Sequence, residues 1–150
     1  METGDSPSLI DRIGTPLFLL ALGNSAAVWF FYQAFLLFKN GSSSVVTFDK
    51  GSCYLFGASI GLLTLTYMIV KEFWLKLPLS NKQSALFSRI AISGVVLMIT
   101  FPHLAHYAAD RYFTAHGYSV CEEASHQWLF MRKIVYIDES VECSSGLKKK

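Results

Sequence analysis

Three stretches of this chain hold no Asp, Glu, Lys or Arg: residues 13–38, 51–70 and 90–109. Crossing the ~30 Å hydrocarbon core of a bilayer takes about 20 residues of helix at 1.5 Å per residue, and each stretch has that length. Lipid offers the backbone no hydrogen-bond partner, so a spanning segment must be a helix or part of a closed barrel. None of the three alternates with the period of two that a barrel strand shows. The sequence therefore predicts an all-α membrane fold with three transmembrane helices at about these bounds, embedded in the lipid bilayer.

Composition removes the competing classes. Charged residues are 16% of the 150, and hydrophobic residues 52%, whereas soluble domains carry about 25% charge. Aromatics at 15% exclude a disordered chain, which is poor in them. A net charge of +2 is too small to attract a polyanion, so no nucleic-acid partner is expected. Three cysteines without a Cys-x-x-Cys pair give no zinc framework.

The span boundaries carry matching signals. Pro16 reads as lying near the start of the first helix, where its missing N–H costs little. Lys39 and the polar run Asn40, Gly41, Ser42, Ser43, Ser44 read as a flexible loop ending that helix. Lys71, Glu72, Phe73 and Trp74 close the second, with the tryptophan suited to headgroup level. Pro78 and the following Leu79, Ser80 and Asn81 make the turn before Arg89 opens the third. The amino end, with Glu2, Asp5 and Asp11 against a single Arg12, lacks the positive region of a secretory signal and reads as a retained anchor.

Orientation follows Lys and Arg counts in the short loops. The second loop has Lys71, Lys76, Lys82 and Arg89, and the amino tail Arg12; the other side has Lys39, Lys50 and Arg111. Five against three places the amino end in the cytoplasm and the carboxyl end outside. Cys121 and Cys143 would then lie in an oxidising compartment such as a bacterial periplasm, where a disulfide between them persists. Cys53 falls at the outer end of the second span and reads as a small buried hydrophobe.

Residues 110–150 form the tail, with six acidic and six basic residues. Residues 107–112 continue the third helix out of the membrane until Gly117 breaks it. Residues 128–137 are rich in strand formers, with Val135 and Ile137 facing one way and Ile134 and Tyr136 the other. About 40 residues rarely hold a core without a staple. The expectation is one or two short strands, pinned by the Cys121–Cys143 bridge and leaning on the membrane surface.

The pattern Gly117-Tyr118-x-x-Cys121-x-x-x-Ser125, followed by Tyr136-Ile137 and Cys143, resembles a family of small uncharacterised bacterial inner-membrane proteins. These have three spans and a Gly-Tyr…Cys…Ser…Tyr-Val…Cys carboxyl tail; Ile137 stands here in place of the valine. The resemblance implies a multi-pass protein of the inner membrane with a periplasmic tail, and no assigned reaction.

Two constellations invite a functional reading. His103, His106 and Asp110 stand at i, i+3 and i+7 on one helical face, a candidate metal or proton-handling set. A further ligand is not evident, so no metal and no other cofactor is expected. Gly57 and Gly61 form a Gly-x-x-x-Gly element in the second span, which lets helix backbones approach closely. It reads as a packing face inside the chain's own bundle in preference to a homodimer face. Gly23, Ala27 and Ala34 are its candidate partners in the first span, and Asn24 and Gln33 candidates for interhelical hydrogen bonds.

Catalytic patterns are thin. Ser125 beside His126, and Glu122 beside Glu123, are sequence neighbours and not constellations. No phosphate loop, Gly-x-Ser-x-Gly elbow or His-Glu-x-x-His helix occurs. The expectation is a protein without catalytic activity. It would be an immunity or protective protein against a membrane-acting bacterial toxin, by analogy of size and span number, or else an accessory or structural subunit of an envelope or transport complex.

Overall fold

The computed structural model describes residues 9–129 and 131–149. The charges read at Glu2, Asp5, Asp11 and Arg12, and those of Lys148, Lys149 and Lys150, lie outside the described residues and side chains.

Three long helices, α1 (Leu9–Lys39), α2 (Lys50–Ile69) and α3 (Asn81–Ala115), carry the apolar runs. Their segments Ile13–Lys39, Lys50–Trp74 and Asn81–Ala115 are each long and apolar enough to cross a bilayer, which makes this a multi-pass membrane protein. Helix α2 packs against both α1 and α3. It ends in a π-helical turn, Val70–Trp74, closed by the Leu75 N–H donating to the Val70 carbonyl at 3.1 Å.

The helices outrun their uncharged stretches. Helix α3 begins at Asn81, well before Arg89, because Ser80 and Gln83 form a capping box. The Gln83 N–H donates to Ser80 Oγ at 3.3 Å, and the Ser80 N–H donates back to Gln83 Oε1 at 3.4 Å. Two of the orphan donors of the first turn are thereby satisfied. Pro16 is not at a helix start: α1 begins by Leu9, so the ring sits inside the helix, as does Pro102 in α3. Both are almost fully buried, and each leaves one carbonyl in the preceding turn without its helical donor.

The stretch after Lys39 is only partly a loop. Val45–Asp49 forms strand β1, which leads straight into α2. The tail supplies β2 (Ser119–Val120), β3 (His126–Trp128) and β4 (Met131–Ile137). All pairings are antiparallel and all are to β4, with β1 along one edge and β2 and β3 in succession along the other. The tail thus holds three strands where one or two were expected, and recruits a fourth from between α1 and α2.

The alternation read from the sequence is the alternation observed. Ile134 and Tyr136 lie opposite Phe48 and Val46 and pack with Cys53 and Phe113 into one core, between the sheet and the ends of α2 and α3. Val135 and Ile137 face the other way, onto Cys121 and Ala124. The Cys121–Cys143 disulfide, with Cα atoms 5.4 Å apart, staples this second core. Beside it lies a 3-10 turn, Ser145–Lys149, that contributes Leu147. Cys53 is free and buried, the small core residue expected.

Candidate binding cleft between the helices and the sheet

Three phenylalanines, one per helix, close the bundle beneath the sheet. Phe30 of α1 lies 4.9 Å from Phe56 of α2 and 5.8 Å from Phe101 of α3, ring centre to ring centre, and Phe56 lies 5.2 Å from Phe101. Above this aromatic floor α1 and α3 leave a cavity of about 490 Å³ with β1 as its third wall. The room comes from Ala105, Ala108 and Ala109 on the α3 side, facing Ala34 and Leu37 on α1. Alanines at i, i+3 and i+4 share a helical face; this was the legible signal for the cleft, and sequence reasoning passed it over. A cavity of this size with apolar walls and few polar groups has the character of a ligand or partner site.

The polar groups at its rim come from three elements. Asp49 caps α2, accepting the Gly51 N–H at 2.8 Å on Oδ1. Its carbonyl accepts the Ser52 hydroxyl at 2.8 Å. Gln33 of α1 lines this cavity and a second one of about 710 Å³, which lies against the other face of the sheet near His126 and Lys133. Gln33 is therefore a divider between two cavities. The other polar residue singled out in the first span does not reach another helix either: Asn24 Nδ2 donates to the Leu20 carbonyl of its own helix at 2.9 Å.

His103, His106 and Asp110 do share one side of α3, but each is engaged differently. Lys50 Nζ donates to His103 Nδ1 at 3.4 Å, tying the start of α2 to α3. The His106 ring lies nearly parallel to Phe48, at an interplanar angle of 22°, and its Nδ1 is buried with no hydrogen-bond partner among the described residues. Asp110 faces the Tyr136 hydroxyl, which is likewise buried and unpartnered among the described residues. The carboxylate acts on that phenol through its charge, without the geometry of a made hydrogen bond. Burial first, and Asp110 second, push Tyr136 up to about 12. Among the described residues no three His, Cys, Asp or Glu side chains converge as a metal site would require.

The small residues of α2 are used inside the chain. A Cβ on Gly57 would collide with the Gly94 carbonyl oxygen and the Met98 amide nitrogen of α3, so this face of α2 is filled by the protein's own third helix. Gly94, which sequence reasoning did not single out, is the true counterpart. Gly23 of α1 approaches α2 as well, but at Leu62 and Leu63. A Cβ on Gly61 would meet nothing within 4 Å.

No curated protein and no solved structure matches this chain. Residues 46–144 match a family described as protein of unknown function, DUF1240. The matched region opens at the first core residue of β1 and closes one residue past Cys143. It therefore takes in α2, α3, all of the sheet but Val45, and the disulfide, and leaves α1 outside. With about two thirds of its length so matched, the chain belongs to the DUF1240 family of uncharacterised proteins.

Proposed function

We propose that this protein acts by binding within the membrane and not by catalysis, as an immunity or protective protein that engages a membrane-acting bacterial toxin. In this reading it sits in the bacterial inner membrane with its amino end in the cytoplasm and the sheet in the periplasm. The observation that carries it is the apolar cleft between α1 and α3 under β1. An apolar segment of a toxin entering the bilayer would find there a greasy wall, an aromatic floor, and Gln33 and Asp49 at the rim to orient it. The Lys and Arg distribution supports the orientation.

The test is protection. Cells expressing the protein and challenged with toxins encoded beside its gene should survive, and cleft-filling variants such as Ala105→Trp should abolish survival at unchanged protein level. Unchanged killing by every such toxin would overturn the reading. A phosphatase fused after Cys143 should be active if the sheet is periplasmic.

A second reading, an accessory or structural subunit of an envelope or transport complex, is favoured by one observation. Phe31, Phe35 and Phe38 stand at i, i+4 and i+7 on α1, exposed at 61%, 63% and 85%. That row could seat a neighbouring subunit's helix. Crosslinking in mild detergent should then recover one partner at fixed stoichiometry, and recovery of the free chain alone would exclude it.

A further inference from the structure

The β3–β4 hairpin runs past the rest of the sheet, in the direction in which the chain enters the membrane. Asp49, the last residue of β1, pairs with Lys133, and Lys50 immediately opens the spanning helix α2. Strand β4 extends two residues beyond that level to Met131, where Trp128 is its partner across the hairpin. At about 3.3 Å per residue, these two residues reach roughly 7 Å below Asp49. A second contact fixes the same depth. A Cβ on Gly51 would lie 3.4 Å from Met131 Cγ, so the hairpin rests on the first turn of α2.

The chemistry of the tip changes with that depth. Trp128, Leu129 and Met131 are 64%, 68% and 56% exposed, an apolar patch at the end of the sheet away from the buried Ile134–Ile137 segment of β4. Leu129 holds φ +53°, a left-handed conformation that water-facing tight turns give to Gly or Asn. One step back from the tip the residues turn polar: Gln127 opposite Arg132, then His126 opposite Lys133. Arg132 is held by Glu122 at 3.1 Å, which leaves exposed Lys133 as the cation of this collar. Apolar side chains at the deepest point, a tryptophan beside them and a lysine above is the order of a bilayer interface read from acyl chain to phosphate.

We infer that the tip of the β3–β4 hairpin, residues Trp128, Leu129 and Met131, is a lipid anchor inserted into the leaflet beside the first turn of α2. It gives the sheet an attachment to the bilayer separate from the helices, with phospholipid acyl chains as its ligand.

Trp128 is its own reporter. In a full-length Trp29→Phe/Trp74→Phe chain reconstituted into phosphatidylcholine vesicles, lipids brominated on their acyl chains should cut Trp128 emission about twofold, and aqueous iodide should leave it nearly unchanged. Adding Leu129→Asp, with the disulfide still formed, should reverse both results. If the double variant does not fold, the difference in emission between the native chain and Trp128→Phe reads the same quantity. Quenching by iodide with no effect of bromine would show a solvated loop and overturn the inference. Protection from both quenchers would show a tip covered by protein, and would overturn it equally.

Discussion

Gly57 of α2 and Gly94 of α3 meet backbone to backbone: a Cβ on Gly94 would stand 2.9 Å from the Gly57 carbonyl oxygen, and one on Gly57 would strike the Gly94 carbonyl itself. Between transmembrane helices, where water provides no drive for association, such close approach is a main source of attraction. The atoms in the way are backbone, which cannot swing aside. Gly57→Ala and Gly94→Ala should each destabilise the folded protein by about 1–3 kcal/mol, the usual range for overpacking. Gly61→Ala, with open space around its Cβ, should change little. Unfolding in detergent micelles compares the three.

The disulfide closes a separation of 22 residues around the second core. In the chain-entropy account such a crosslink stabilises by about 3 kcal/mol. Cys143→Ser should therefore expose the tail to limited proteolysis while leaving the three helices inserted. Thiol counting provides a check on the native chain. Alkylation under denaturing, non-reducing conditions should label Cys53 alone, and folded protein should resist labelling because that thiol is buried.

Tyr136 links stability to alkaline pH. Its folded value of about 12 lies above the ordinary 10, so on folding the phenol holds its proton more tightly than in the unfolded chain. The stability it contributes is complete below pH 10 and is lost as pH rises from 10 to 12. Tyr136→Phe removes an unpartnered buried hydroxyl. It should be neutral or stabilising by up to about 1 kcal/mol at neutral pH, and should blunt the alkaline loss. Unfolding curves across that pH range, with tyrosinate absorbance, decide it.

Asp49 ends β1 and caps α2 at once. Asp49→Ala should cost about 1 kcal/mol, and Asp49→Asn, which keeps the accepting oxygen, much less. By contrast Glu122→Gln removes a pair whose side chains are 35% and 74% exposed and should fall within about 0.5 kcal/mol of the parent. Equal losses in both positions would contradict the capping assignment.

What the sequence made legible was whatever is written in consecutive residues. Uncharged length marks the spans, period two marks the two faces of β4 at Ile134 to Ile137, and two cysteines bracket the tail. Strand β1 was missed because its partner lies beyond two helices. Val45 to Asp49 is short, follows a run of serines, and shows its alternation only once Tyr136 and Ile134 are set opposite Val46 and Phe48. Gly57 was recognised by its spacing with Gly61, but its real neighbour Gly94 stands singly in α3 and no local pattern announces it. The start of α3 was written plainly in Ser80 and Gln83 and was overlooked because the charges of Lys82 and Arg89 drew the boundary later. His103, His106 and Asp110 share a face as the spacing required, yet sharing a face did not aim them at one point.

Antiparallel pairing of β1 with β4 also imposes an order of assembly. During synthesis β1 is complete before α2 and α3 exist, and it must wait, unpaired, until both helices and then β4 have followed it. Membrane insertion of α2 and α3 therefore precedes closure of the sheet. A failure in placing α2 or α3 would strand β1 and β4 on opposite sides of the bilayer. The β1–β4 pairing is thus a record that α2 and α3 both crossed.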